Sequence, residues 1–380
     1  MSKMQTTPDI ETISPIDGQL LFTRTYASPT QIALALQSAR RARSVWSSLT
    51  IRERSVFLST AIAWLVERTS EVAEEITRQI GRPIIQSPGE LRGIAARVQY
   101  MTDVAEPSLA DINPTPMAGL RRYLRRQPLG TVLVIAPWNY PLLTAINTIA
   151  PALLAGNTVI LKHAAQTMLT AERLQQAFDA AGLPAGVFQN LCLSHPDVAA
   201  VVADETIDFV AFTGSVSAGR IVQTAASQRF IGVGLELGGK DPAYVRADAD
   251  LPHAVDTVID GALFNSGQSC CGIERAYVHA SCYDDFVARA VTLVRQYRLG
   301  NPLDQSTTLG PMVKASAAAF VQQQIDEAIE QGAEALIDPA PFGAYSLGAA
   351  YLAPQLLIGV DHRMRVMSEE TFGPLLSIMA

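Results

Sequence analysis

Four short segments of this 380-residue chain bring together residue types that can do chemistry. The first, Phe264-Asn265-Ser266-Gly267-Gln268-Ser269-Cys270-Cys271, presents a thiol after a small glycine-containing turn. A free thiol titrates near ~8.5, so only a few per cent is thiolate at neutral pH, yet that thiolate is a strong nucleophile. Cysteines at large are more often buried small hydrophobes. The turn and a candidate base elsewhere favour Cys270 as the nucleophile, with Cys271 either the alternative thiol or a packing neighbour. The second segment, Leu235-Glu236-Leu237-Gly238-Gly239-Lys240, sets a carboxylate at an apolar strand end, where burial is costly unless the charge is used. Glu236 is then either the partner of Lys240 in a structural ion pair or a general base held in apolar surroundings.

The third segment is Pro137-Trp138-Asn139-Tyr140-Pro141. Asn139 either caps the following helix or aims its amide at a developing oxyanion. The fourth, Phe212-Thr213-Gly214-Ser215-Val216-Ser217-Ala218-Gly219, reads as a helix start. It is either an anion site made of free backbone N–H groups and the helix dipole, or merely a tight turn.

Elements must carry these segments. Ser28-Pro29 is an N-cap and N1 proline ahead of an amphipathic run over 31–49, and helical periodicity returns over 52–80 and 88–104. A proline-rich stretch leads to 121–129, which alternates like an exposed strand. From Thr131 the rhythm is strand, turn, helix. Short β-branched runs at 132–136, 158–162 and 208–212 alternate with helices, including one over 167–181 closed by Gly182. Such alternation predicts a mostly parallel sheet covered on both faces, with ligands at the carboxyl ends of its strands. After Glu236 a second α/β segment follows, with helices over 251–264, 283–297 and 315–331 and a strand near 277–279. No internal repeat or low-complexity stretch is present.

Composition narrows the function. The net charge is −7, hydrophobic residues make up 48% and charged residues 17%, as in globular chains with large cores. The one basic cluster, Arg121, Arg122, Arg125 and Arg126, alternates with apolar residues like the solvated face of a hairpin, so no nucleic-acid partner is expected. No apolar run reaches the ~18 residues of a membrane span, and the N-terminus lacks the apolar core of a signal peptide. Four cysteines in a chain of this size, with no CxxC or Cys/His cluster, predict neither a disulfide framework nor a metal site. A reduced, cytoplasmic setting is the expectation.

In order along the chain, PWNYP (137–141), GNTVILK (156–162), AGLPAGVF (181–188), FTGS (212–215), LELGGKDP (235–242), FNSGQSC (264–270) and EETFGP (369–374) closely resemble the aldehyde dehydrogenase superfamily. The spacing from Glu236 to Cys270 is also that of the family's base and nucleophile. The resemblance implies an α/β fold: a Rossmann-like parallel-sheet cofactor domain (1–106 and 128–236), a small oligomerisation hairpin (107–127) and a second α/β catalytic domain (237–380). It implies oxidation of an aldehyde to a carboxylic acid by NAD or NADP. Cys270 would form a thiohemiacetal and then a thioester, its own N–H and Asn139 would hold the oxyanion, and Glu236 would activate water. Trp138 and Lys162 would contact the cofactor, the latter at the adenosine ribose. Gly214 and Ser215 would hold the pyrophosphate, and Glu370 with Phe372 the nicotinamide ribose and ring. Branches that pass the acyl group to coenzyme A generally lack the base, so Glu236 argues for hydrolysis. A catalytically silent binding protein is the alternative of another class.

Three features depart from the family's commonest pattern. The lysine strand continues Lys162-His163-Ala164-Ala165, and a carboxylate usual at the last position is missing, which predicts that NADP is used at least as well as NAD. The adenine-side loop is Leu193-Ser194-His195-Pro196 rather than glycine-rich. Family members continue well beyond the position of Ala380, so the catalytic domain is expected to be incomplete. The full-length parent is expected to be a homodimer or homotetramer.

Overall fold

The computed structural model describes residues 9–380. They divide into two compact units. The first comprises residues up to Glu11, Thr23–Val72 and Gly89–Glu236; the second comprises Thr12–Phe22, Ala73–Pro88 and Leu237–Ala380. Segments 12–22 and 73–88 were expected with the first domain. The second unit holds 73–88 because Gly81 abuts Pro311 and Arg82 donates to Asn265.

Strands β1 (Asp9–Ile13) and β2 (Leu20–Thr25) form a two-stranded sheet. Helix α1 (Pro29–Ser48) begins where Ser28 and Gln31 exchange hydrogen bonds in a capping box. The periodic stretch over 52–80 is two helices, α2 (Ile51–Glu67) and α3 (Thr69–Ile80). Arg68 leaves helical geometry between them, its amide bonding back to Leu65 and its guanidinium lying over the Trp64 ring. Helix α4 (Pro88–Leu109) outruns its expected end at 104. The strand expected over 121–129 does not form. Only the isolated antiparallel bridges Ile112–Leu124 and Met117–Leu120 are present, and residues 115–127 are all exposed. A two-stranded ribbon with nothing packed against it is marginal in water.

The first unit is built on a five-stranded parallel sheet of β3 (Thr131–Ile135), β4 (Thr158–Lys162), β5 (Phe188–Asn190), β6 (Phe209–Thr213) and β7 (Gly232–Glu236), in the order β5-β4-β3-β6-β7. All five residues of β3 are buried, as the run Thr-Val-Leu-Val-Ile requires of a central strand covered on both faces. The connections run through α5 (Pro141–Leu154), α6 (Met168–Ala180), α7 (His195–Ala203) and α8 (Val216–Ala226). Residues 194–196, expected as a loop, open α7, with Ser194 and Asp197 as its capping box. Strand order reverses between β3 and β6, the position where sheets of this kind take ligands.

The second unit has its own sheet of β8 (Asp241–Val245), β9 (Ile273–Val278), β10 (Glu334–Ala335), β11 (Gln355–Ile358) and β12 (Leu375–Met379), in the order β10-β11-β12-β9-β8. All pairs are parallel except β10 with β11. Helices α9 (Leu251–Leu263) and α10 (Tyr283–Val294) supply Ile259 and Phe286 to one core, which includes Leu356 and Ile378. Helix α11 (Ala315–Glu330) supplies Val321 and Ile325 to another, with Leu357 and Leu375. No helix among the described residues is long and apolar enough to cross a membrane.

Candidate active site

In the first unit the candidate residues stand at the carboxyl ends of neighbouring strands. Lys162 pairs with Ile135, Ile135 with Phe212, and Phe212 with Leu235, so these four form one lateral row. At ~4.8 Å per strand the row spans about 14 Å. Trp138 and Asn139 follow β3, Gly214 and Ser215 follow β6, and Glu236 ends β7. The Gly214 N–H donates to the Glu236 carbonyl at 3.0 Å, and the Ala136 N–H to the Lys162 carbonyl at 3.0 Å. Asn139 is buried. It does not cap α5: Tyr140 is the N-cap, and the buried Glu90 carboxylate accepts from the Leu142 and Leu143 N–H groups at 3.1 and 2.9 Å. Ser215 does cap α8, its Oγ accepting from the Ala218 N–H at 3.3 Å. Earlier donors of that turn have no helical acceptor, which leaves them for an anion.

Glu236 is exposed at the end of β7 rather than held in apolar surroundings. Strand β7 is the last strand of its sheet and opens with Gly232, which has no side chain to cover it. The alternative partner, Lys240, is bound elsewhere: its Nζ lies 2.6 Å from Glu274 Oε2.

At the other end of the row Lys162 is half-buried and makes no ion pair among the described residues. Burial pulls its pKa below the ordinary lysine value, and only the nearby Cys192 thiol opposes that. A partly desolvated cation of this kind suits an anionic or hydroxyl-rich ligand. The next residue, His163, is fully buried. Its Nε2 donates to the Pro141 carbonyl at 3.0 Å, and its Nδ1 accepts from the Ala164 N–H and the Thr167 hydroxyl at 3.0 and 2.9 Å. Burial lowers its pKa to about 4, so it is neutral at pH 7 and ties the 137–141 turn to the turn after β4.

In the second unit Cys270 is held by unusual backbone. Asn265 and Ser266 have φ of 54° and 56°, and Gly267 continues at 69°. Left-handed conformations in non-glycine residues cluster at functional sites. A Cβ on Gly267 would stand 2.0 Å from the Gly373 carbonyl, so only glycine fits there. Cys270 is half-buried, and its Sγ is 3.6 Å from that of Cys271, which is exposed rather than a packing neighbour. Burial, then the Cys271 thiol, pushes the Cys270 pKa up to about 11. The resting thiol is therefore far less ionised than a free one.

Glu370 joins Cys270 in this unit. Its Oε1 accepts from the Gly239 N–H at 3.3 Å, and a Cβ on Gly238 would lie 2.2 Å from its Oε2. Burial raises the Glu370 pKa, and its negative charge in turn raises that of Cys270. Phe372 has a φ of 56°. Cys270, Glu370 and Phe372 all precede β9 or β12, so they lie at the amino end of their sheet. No group of three metal-ligating side chains occurs among the described residues.

A match to the aldehyde dehydrogenase family spans residues 2–380. The chain belongs to that family. It is 33% identical to a succinate-semialdehyde dehydrogenase [NADP(+)] of Deinococcus radiodurans, over 96% of this chain and 76% of the relative. Among solved structures it is similar to PnpE in complex with nicotinamide adenine dinucleotide (31% identity, TM-score 0.91, covering 98% of this chain and 77% of that one). It is also similar to succinic semialdehyde dehydrogenase from Streptococcus pyogenes in complex with NADP+ (27% identity, TM-score 0.90, covering 97% and 80%). The chain thus spans roughly three quarters of these relatives' lengths.

Two features of this family member escaped the sequence reading. One is the buried Arg82, whose Nε donates to Asn265 Oδ1 at 3.1 Å. The other is the Lys240–Glu274 pair. Alternation in Ile-Glu-Arg-Ala-Tyr-Val puts Glu274 on the same buried face as Ala276 and Val278, a signal that was available in the strand's period of two.

Proposed function

We propose that this chain oxidises an aldehyde to a carboxylic acid with a nicotinamide dinucleotide as electron acceptor. The strand-end row of the first unit carries the reading: Asn139 after β3 and the Ser215-capped helix after β6 flank the reversal of strand order. The cofactor fits these residues, because Lys162 brings an unpaired ammonium to that edge and α8 brings free backbone donors. When bound, the nicotinamide supplies the hydride acceptor. Lys162 holds the adenosine ribose, Gly214 and Ser215 the pyrophosphate, and Glu370 with Phe372 the nicotinamide ribose and ring, while Trp138 also contacts the cofactor.

The sulfur of Cys270 forms a bond to the aldehyde carbon, and the carbonyl electron pair moves onto oxygen. The Cys270 N–H and the Asn139 amide hold that oxyanion. With its pKa raised to about 11, the thiol gives up its proton as it attacks, to Glu236 as acceptor. Departure of hydride from the same carbon re-forms the carbonyl as a thioester. Glu236 passes that proton to solvent, which its exposure permits, and as a carboxylate again it takes a proton from water as the water oxygen adds. The C–S bond breaks, releasing the acid and the thiolate. Exposure of Glu236 to solvent suits this second step.

The absence of a carboxylate at Ala165 leaves the Lys162 edge free of like-charge repulsion against a 2′-phosphate. We assign a preference for NADP at least equal to that for NAD, and semialdehydes as the first substrates to try, in keeping with the names of the relatives. Purified protein is assayed with succinate semialdehyde and propanal and with each cofactor. Formation of reduced cofactor and free acid, abolished by Cys270→Ala, supports the reading. A folded parent inert toward both aldehydes with both cofactors overturns it, and a kcat/KM at least tenfold better with NAD overturns the cofactor assignment.

A further inference from the structure

The Lys240–Glu274 pair is buried, with side chains 8% and 3% exposed, and no step above uses it. Buried ion pairs are often replaceable by apolar residues of like volume without loss of stability, so what this one holds in place decides its meaning. Glu274 stands on β9, and each of its oxygens is filled from the 370–372 segment or from Lys240. Oε2 accepts from Lys240 Nζ at 2.6 Å and from the Thr371 N–H at 2.8 Å, while Oε1 accepts from the Phe372 N–H at 2.8 Å. Lys240 also donates to the Thr371 hydroxyl at 2.8 Å, that hydroxyl donates to Gln324 Oε1 at 2.8 Å, and Gln324 Nε2 donates to the Glu370 carbonyl at 3.2 Å. Two successive peptide groups are thus aimed at one carboxylate, directly at the residue whose φ is 56°. An aromatic side chain in the left-handed region persists only where its surroundings over-determine it.

We propose that Glu274 is a positioning residue for the cofactor: through the amides of Thr371 and Phe372 it fixes the left-handed turn that carries Glu370 and Phe372, with Lys240 as its counter-charge. The inference rests on the reading of Glu370 and Phe372 as the grip on the nicotinamide riboside. Glutamine at 274 keeps the shape but offers an N–H₂ where one of the two amides needs an acceptor. It also strips Lys240 of its charge partner.

The test compares Glu274→Gln and Glu370→Gln with the parent, measuring cofactor KM, aldehyde KM, kcat and the rate at which iodoacetamide alkylates Cys270 without cofactor. The expected result for Glu274→Gln is a cofactor KM raised about tenfold. Aldehyde KM and the alkylation rate should stay within about twofold. A merely structural role would slow alkylation and lower the thermal midpoint while leaving cofactor KM in place, and that result overturns the proposal. So does a Glu274→Gln enzyme with the parent's cofactor KM beside a Glu370→Gln enzyme whose KM has risen. If Glu370→Gln leaves cofactor KM unchanged, the reading of Glu370 fails and the inference with it. Should Glu274→Gln not fold, the electroneutral pair Glu274→Gln/Lys240→Met is read by the same assays.

Discussion

The buried guanidinium of Arg82 donates from Nε to the side-chain oxygen of Asn265 at 3.1 Å, five residues ahead of the candidate nucleophile. Asn265 opens three successive left-handed residues. Its N–H is held by Gln86 Oε1 at 3.1 Å and its amide donates to the Gln268 carbonyl at 3.2 Å, while Ser266 Oγ donates to the Gly310 carbonyl at 2.9 Å. Left-handed geometry costs ~1–3 kcal/mol per non-glycine residue, so the bonds must outweigh it. Arg82→Met leaves the Asn265 oxygen short of a donor and is expected to lower stability by about 2 kcal/mol. Alkylation of Cys270 should slow about tenfold in the folded variant. Denaturant titration and iodoacetamide kinetics check both. Unchanged alkylation would show that the turn holds its shape without Arg82.

The two adjacent thiols make a prediction about pH. Burial is the larger cause of the high Cys270 pKa and the Cys271 thiol the next. In the resting enzyme the alkylation rate of Cys270 should rise with pH toward a midpoint of about 11. Cys271→Ala removes the second cause and keeps the first, so the midpoint moves down yet stays above that of a free thiol. A parent midpoint near that of a free thiol would contradict the burial seen at this turn.

His163 makes the opposite kind of prediction. Its pKa is depressed by burial to about 4, against an ordinary ~6.5. The folded state therefore binds fewer protons than the unfolded chain in that interval. The stability this contributes is fully present above the ordinary value and is lost as pH falls from there toward about 4. The interval corresponds to a loss on the order of 3 kcal/mol. His163→Asn should be less stable at pH 7, because the Pro141 and Thr167 bonds are disturbed. It should also show a shallower decline in thermal midpoint between pH 6.5 and 4, as the linkage requires. Parallel curves for parent and variant would mean that His163 is protonated in the folded protein.

What the sequence could disclose followed from local patterning. The run Thr158–Lys162 is all β-branched or long apolar until its lysine, and it is strand β4 to the residue. The capping pair Ser28/Gln31 likewise marks the start of α1 without help from distant groups. Strands β8, β11 and β12 went unread because each is a short, largely apolar run, which periodicity cannot tell from a buried helix segment. The partner of Lys240 was beyond reach for another reason. Glu236 is its near neighbour in sequence, whereas Glu274 meets it only because β8 and β9 pair in parallel, Asp241 beside Ile273. Long-range pairing, not local pattern, decides which carboxylate a buried lysine finds.

That same distinction sets the last prediction, at the edge where Lys162 ends β4. Ala165 begins the turn after that strand and is exposed. Lys162 makes no ion pair with a carboxylate among the described residues, and of its charged neighbours only the Cys192 thiol acts on its pKa. Ala165→Glu adds a charge at a site with room for it, without disturbing the His163 bonds that shape the turn. A carboxylate there accepts a hydrogen bond from a free ribose hydroxyl and repels a 2′-phosphate, so it acts on the two cofactors in opposite directions. The ratio of kcat/KM for NADP over NAD should fall by about tenfold or more. Thermal stability should be unchanged within the range expected of an exposed substitution. A ratio that does not move would place the adenosine ribose away from residue 165, and with it away from Lys162.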